Sequence, residues 1–152
     1  DFIEFLYCTG ARYSEAINLL RDDVDFEKKV GTFRDTKNGD DRTIPLADNV
    51  LEILKRYPFG KTFFRVTSYD SYNWFFNQAC KRAGIENFRS HDLRACFITN
   101  ALLSGMSEAS VATISGHKDF RSMKRYTRIK AQDLIDDVNK ISTMREYKKI
   151  NN

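Results

Sequence analysis

The chain has 152 residues, of which 41% are hydrophobic and 13% aromatic, so it is long enough and apolar enough to fold as one domain around a real core. Its formal net charge of +4 is mildly basic, a balance that suits nucleic acid among many other partners. No apolar run approaches the ~20 residues of a membrane span and no signal peptide is visible; Cys8, Cys80 and Cys96, odd in number and without C-x-x-C spacing, read as reduced, core-facing thiols rather than a disulfide framework.

In chain order, Asp1 to Thr9 reads as the end of a buried helix, with Phe2, Ile3, Phe5 and Leu6 inward and Gly10 as its breaker. The start at Asp1, directly in that apolar run, suggests a piece of a longer protein. Ser14 is the expected cap of a second helix, with Glu15 at its positive end and Ala16, Ile17, Leu19 and Leu20 as its core face. Arg12 falls in the turn before that helix, where an anion would lodge; the local alternative is a surface arginine paired with Glu15 or Asp22. From Val24 the texture becomes β-like: Val24 to Phe26, Val30 to Phe33 and Arg42 to Leu46 predict short strands. Asn38-Gly39 is a strong turn signal between the last two, giving a hairpin with Lys37 near its tip and Pro45 at the end or edge of the sheet.

Asp48 to Arg56 predicts a helix with Val50, Leu51, Ile53 and Leu54 inward. Thr62 to Val66 reads as a short apolar extended piece. Tyr69 to Ala83 returns to helix, ended by Gly84, with Tyr72, Phe75, Phe76, Ala79 and Cys80 as its apolar side. Trp74 and Tyr69 are also expected in the core, since aromatics at helical spacing pack more often than they stack on bases. Ser90 is the expected cap of the next helix, which carries Leu93, Phe97, Ile98, Ala101 and Leu102 at helical spacing and stops at Gly105. His91 and Arg94, three apart, share a face at its start. A further helix from Ser107 to Ser115 closes at Gly116, leaving His117 exposed past its end. Tyr126 lies in a run with Lys118, Arg121, Lys124, Arg125, Arg128 and Lys130 against the single acid Asp119. Ala131, Leu134, Ile135, Val138, Ile141 and Met144 then mark an amphipathic helix over residues 130–149. An imidazole and a guanidinium at one helix start, a second imidazole on a turn and a tyrosine among cations suit chemistry on a phosphate.

Taken together, Thr9-Gly-Ala-Arg12-Tyr-Ser-Glu15, Thr36-Lys37 with Arg42-Thr-Ile-Pro-Leu46, His91-Asp-Leu-Arg94, Ser115-Gly-His117 and Arg125-Tyr126 resemble the tyrosine recombinase (phage integrase) family. Each block is weak alone; five in the family's order, spanning most of the chain, are specific. The resemblance covers the catalytic domain (residues 1–152) and implies that the N-terminal DNA-clamping domain and the first part of the catalytic domain are absent from this chain. It implies an α+β fold, mainly helical with a small three-stranded antiparallel sheet, the DNA breaking-rejoining enzyme fold. It assigns Arg12 and Arg94 to the scissile phosphate, Lys37 to protonation of the leaving oxygen, His91 to general acid/base work and His117 to a second imidazole beside the phosphate. Tyr126 becomes the nucleophile and Glu15 a support behind the site; Arg42, Lys118, Arg121, Lys124 and Arg125 are expected on DNA. Ala95 stands where many members carry His, and Ser115 where Leu commonly precedes Gly-His; neither is a catalytic position.

Those residue types fit the reaction implied. Guanidinium forks can bind the non-bridging oxygens of a pentacoordinate phosphorus bidentately, a task that metals perform in other nucleases, so no metal is expected. Tyrosine, with a reference pKa of about 10, needs nearby positive charge and a proton acceptor to attack. A 3′-phosphotyrosyl link conserves the bond energy, so no ATP or other cofactor is expected. The implied partners are a double-stranded attachment or crossover site, three further copies in a DNA-bound homotetramer (with a free monomer), and accessory DNA-bending proteins. The 130–149 helix is the candidate protomer contact, and the expected location is the cytoplasm, at the nucleoid. The competing readings are a type IB topoisomerase, a catalytically silent DNA-binding module, and a metal site on His91, Asp92 and His117; EDTA resistance would discriminate the last.

Overall fold

A single run of strands lies between two groups of helices along the chain, and the computed structural model describes residues 1–34, 39–66, 68–117 and 135. Helices α1 (Phe2–Thr9) and α2 (Tyr13–Ile17) lead through a 3-10 turn (Arg21–Asp23) into strands β1 (Val24–Asp25), β2 (Val30–Phe33) and β3 (Arg42–Pro45). Helices α3 (Asp48–Lys55), α4 (Tyr69–Arg82), α5 (Asp92–Leu103) and α6 (Glu108–Ser115) follow. Lys37, Lys118, Arg121, Lys124, Arg125 and Tyr126 lie outside the described residues, as does the helix expected over 130–149 apart from Ile135. Among the described residues, no helix is long and apolar enough to cross a membrane.

The strands form one antiparallel sheet in the order β1-β2-β3, with Gly31 opposite Ile44 and Phe33 opposite Arg42. Alternation along β3 puts Arg42 and Ile44 on the inner face and Thr43 outside, where Thr43 and Thr32 hydroxyls meet at 2.9 Å. Pro45 ends β3 on an edge strand, where its missing N–H breaks no central ladder. The sheet and α1 to α4 share a core built on Phe5, Leu19, Phe33, Ile44, Val50, Ile53, Leu54 and Phe63. Each such side chain contributes roughly 1.5–3 kcal/mol, an upper figure because unfolded chains already bury some surface. Ile98, Ala101 and Leu102 of α5 meet Val111 of α6 in a smaller cluster.

Several local expectations shift. Arg12, not Ser14, is the N-cap of α2, because the Glu15 carboxylate accepts the Arg12 backbone N–H at 2.8 Å. His91, not Ser90, caps α5; the Ser90 hydroxyl is buried against the Tyr72 hydroxyl at 2.8 Å, leaving it no part in the cap. On α4, Tyr72 and Phe76 take the inward face one turn apart, so Phe75 and Ala79 turn outward. Trp74 is 57% exposed and Tyr69 51% exposed, and neither belongs to the core. Cys8, Cys80 and Cys96 are free and only half-buried.

Candidate active site

The motif Thr9-Gly-Ala-Arg12 turns the chain from α1 into α2. Gly10 caps α1 in the left-handed region (φ 62°), and a side-chain carbon there would press on the Phe97 ring, 2.8 Å from its Cγ. Only glycine fits without strain or a shift of α5. That turn points the Gly10 carbonyl at α5, where it accepts a hydrogen bond from Arg94 Nη1 at 2.6 Å. Two residues on, Arg12 Nη1 donates to Glu15 Oε1 at 2.5 Å, the pairing that its local sequence context offered as an alternative. Arg12 nevertheless keeps a partly exposed guanidinium beside a cavity, so the pairing does not remove it from the site.

That cavity, about 70 Å³, is lined by Leu6, Ala11, Arg12, Tyr13, Tyr69, Ser90, His91 and Arg94. At ~30 Å³ per water it has room for roughly two waters or one small polar group. Arg94 is 3% exposed and His91 is exposed at the rim. Partial burial, and next the charge of Arg94, push the His91 imidazole below its usual range; Arg12 and Arg89 add to this and Asp92 opposes it. His91 is therefore poised to be neutral at neutral pH, able to accept a proton.

From α6 comes the third group. Gly116 caps that helix at φ 71° and turns the chain so that His117 lies back against Arg94, with Nδ1 3.5 Å from Arg94 Nη2. His117 is half-buried rather than exposed, because the Ser115 hydroxyl holds Nδ1 at 2.7 Å. The same hydroxyl donates to the Val111 carbonyl at 2.6 Å. Ser115, set aside in the sequence as a harmless departure, thus orients an imidazole of the site. Its carbonyl accepts from Arg94 Nη2 and, at 3.0 Å, from Arg42 Nη1.

Arg42, expected on DNA, is instead 8% exposed, with Nη2 on Glu15 Oε2 at 2.7 Å and its guanidinium over the Phe33 ring at 5.2 Å. Strand period explains it: Arg42 shares the inward face with Ile44, a signal the alternation Arg42-Thr-Ile44 carried in the sequence. Glu15 accepts from both arginines and from the Arg12 N–H. Burial pushes its carboxyl up, but the Arg12 N–H bond, the Arg42 charge and both guanidinium bonds outweigh it and hold the group below the usual range. The structure thus brings Arg12, Glu15, His91, Arg94 and His117 together. Among the described residues no three His, Cys, Asp or Glu side chains are gathered as a metal set, His91, Asp92 and His117 included.

Helices packed on a small antiparallel sheet, with two arginines and two histidines gathered where α1, α5 and α6 meet, define a domain of the DNA breaking-rejoining fold. The chain belongs to the phage integrase family, whose model matches residues 1–133. It is 31% identical over 139 residues to a tyrosine recombinase XerA of Saccharolobus solfataricus, covering 89% of this chain and 47% of that one. Among solved structures, the catalytic domain of bacteriophage HP1 integrase matches with a TM-score of 0.70 at 28% identity, over 91% of this chain and 79% of that one. The Tn1549 transposon integrase in complex with circular intermediate DNA gives 0.74 at 21% identity, over 90% and 55%, a likeness of fold. The expected family and the expected α+β fold are both borne out. The chain spans about half the length of the curated relatives it matches.

Proposed function

We propose that this chain is the catalytic part of a site-specific DNA recombinase that cleaves and rejoins strands through a 3′-phosphotyrosyl link on Tyr126. The observation that carries the reading is the convergence of Arg12, His91 and Arg94 on one small cavity, with His117 against Arg94, in a member of this family. The scissile phosphate sits at that cavity, its non-bridging oxygens facing the Arg12 and Arg94 guanidinium groups. As phosphorus becomes pentacoordinate, the growing negative charge meets fixed cations that need no reorganisation. Neutral His91 takes the Tyr126 proton as the phenolate attacks phosphorus. The bond to the 5′-oxygen breaks and Lys37, on the β2–β3 connection, protonates the leaving oxygen. A 5′-hydroxyl of a second strand then attacks the phosphotyrosine and restores Tyr126. The guanidinium groups supply the charge stabilisation, so EDTA leaves the reaction intact.

Lys118, Arg121, Lys124 and Arg125 flank the nucleophile in sequence and grip the DNA backbone, which makes binding salt-dependent. Strand exchange needs four copies on two duplexes, with residues 130–149 as the protomer contact, a monomer when free, DNA-bending proteins as accessories and the nucleoid as the place of work. The recombinase relatives favour exchange between partners over topoisomerase-like relaxation. The test is a nicked duplex bearing the crossover site, incubated with protein and EDTA and run on a denaturing gel. Wild type gives a covalent protein–DNA band and Tyr126→Phe gives none. No band from wild type, or an undiminished band from the variant, refutes the proposal.

A further inference from the structure

Arg42 sits behind the pocket rather than in it. Its Nη2 holds Glu15 Oε2 at 2.7 Å, and Glu15 Oε1 holds Arg12 Nη1 at 2.5 Å. Its Nη1 donates at 3.0 Å to the Ser115 carbonyl, which also accepts from Arg94 Nη2. One buried guanidinium is therefore one step removed from each arginine of the pocket, by a carboxylate on one side and a carbonyl on the other. It occupies the volume where a Gly116 side-chain carbon would lie, 3.1 Å from Arg42 Cζ, so the left-handed turn before His117 is shaped around it. The Phe33 ring covers its face, and Nε is buried without a hydrogen-bond partner. A position with one donor unmet is held for the contacts its other two nitrogens make.

We propose that Arg42 is a charge-compensating positioning residue for the recombinase chemistry: it neutralises Glu15 so that the charge of Arg12 stays available to the phosphate, and through the Ser115 carbonyl it fixes the Gly116–His117 turn against Arg94. This rests on the recombinase reading of the site. Electrostatics gives the reason. Glu15 carries one negative charge and Arg12 one positive charge; alone in a buried setting they cancel, and Arg12 is drawn onto the carboxylate. Arg42 brings a second cation to the far oxygen, leaving a net positive charge at the pocket wall where an anion arrives. The Ser115 carbonyl, at the negative end of α6, accepts both guanidinium groups and so sets the spacing between Arg42 and Arg94. Arg42 touches neither substrate nor reacting atoms.

The test uses the full chain with Arg42→Met, which keeps bulk and removes charge, and Arg42→Lys, which keeps charge but cannot span Glu15 and the Ser115 carbonyl together. Covalent-complex formation at saturating nicked duplex is expected to slow roughly 100-fold in Arg42→Met and less in Arg42→Lys. Affinity should stay within about threefold of wild type, with the slope of log Kd on log salt unchanged, since no phosphate contact is lost. Combining Arg42→Met with Glu15→Gln should slow the reaction no further than the worse single variant. In the free protein, side-chain NMR signals of Arg12 Nε–H and the His117 ring should move in Arg42→Lys. A salt slope reduced by about 0.9, one phosphate contact, would make Arg42 a DNA ligand and overturn the proposal; so would an unchanged rate together with unmoved Arg12 and His117 signals. If Arg42→Met does not fold, Arg42→Lys decides by the same criteria. No covalent band from wild type, with the NMR signals still moving in Arg42→Lys, would sink the recombinase reading and leave the positioning role standing.

Discussion

Replacing Glu15 with Gln changes almost no volume and removes one buried charge. The Glu15 side chain is 3% exposed and accepts from Arg42 Nη2 at 2.7 Å, Arg12 Nη1 at 2.5 Å and the Arg12 N–H at 2.8 Å. The amide keeps one acceptor but presents an NH₂ to a guanidinium, so Arg42 is left as a buried cation without its counter-charge. Breaking a buried pair in this way costs about 3–5 kcal/mol. Arg42 retains the Ser115 carbonyl and Arg12 is partly hydrated, so the lower end applies, about 3 kcal/mol. For a domain of this length that lowers the Tm by roughly 6–12 °C. The effect also has a pH signature. The Glu15 carboxyl lies below its usual range in the fold, so its stabilisation is fully present above the unfolded value of about 4.3 and is lost as pH falls through the folded value. Urea unfolding at pH 7 should show the full deficit of Glu15→Gln, and at pH 3 to 3.5, roughly one unit below the unfolded value, the gap to wild type should have begun to narrow. A deficit under about 1 kcal/mol at pH 7, or one that widens on acidification, refutes the charge argument.

Gly10→Ala places a methyl on the Phe97 ring from a left-handed backbone, and should cost about 2–4 kcal/mol in chemical denaturation; because the Gly10 carbonyl holds Arg94, the variant should also cleave more slowly at saturating DNA. For His91, burial and Arg94 lower the pKa in the free protein, so the acid limb of kcat/KM for cleavage, which reports the free protein, should have its midpoint below about 6.5, and His91→Gln should lose that limb; a midpoint above about 6.5 contradicts the assignment.

Period and punctuation made most of the fold legible. Gly10, Gly84, Gly105 and Gly116 marked helix ends, and Val50, Leu51, Ile53 and Leu54 marked the inner face of α3, as the structure has them. Capping was harder to read, since Ser14 and Ser90 look like caps but the caps are set by tertiary partners: the Glu15 carboxylate recruits Arg12, and Tyr72 withdraws the Ser90 hydroxyl. Trp74 and Phe75 misled because α4 buries only the narrow stripe of Tyr72 and Phe76, and a helix with one covered side has room for aromatics outside it. In the site, HxxR and Gly-His announced Arg94, His91 and His117 from sequence. The burial of Arg42 follows from strand alternation with Ile44, and the role of Ser115 depends on the turn at Gly116 that brings His117 to its hydroxyl. Side chains that act through another side chain leave no spacing signature; register and packing reveal them.

In the proposed reaction, fixed guanidinium charge at this cavity stabilises the anionic transition state. Arg12→Ala tests it most directly, because Arg12 is partly exposed and its loss leaves Glu15 still paired to Arg42. Covalent-complex formation should be timed on a nicked duplex carrying an ordinary scissile phosphate and on one carrying a neutral methylphosphonate. The expected loss is roughly 100-fold or more on the phosphodiester and under about tenfold on the methylphosphonate, where less negative charge needs an arginine. Equal losses on both substrates would contradict it, placing Arg12 in the scaffold of the site instead of its electrostatics.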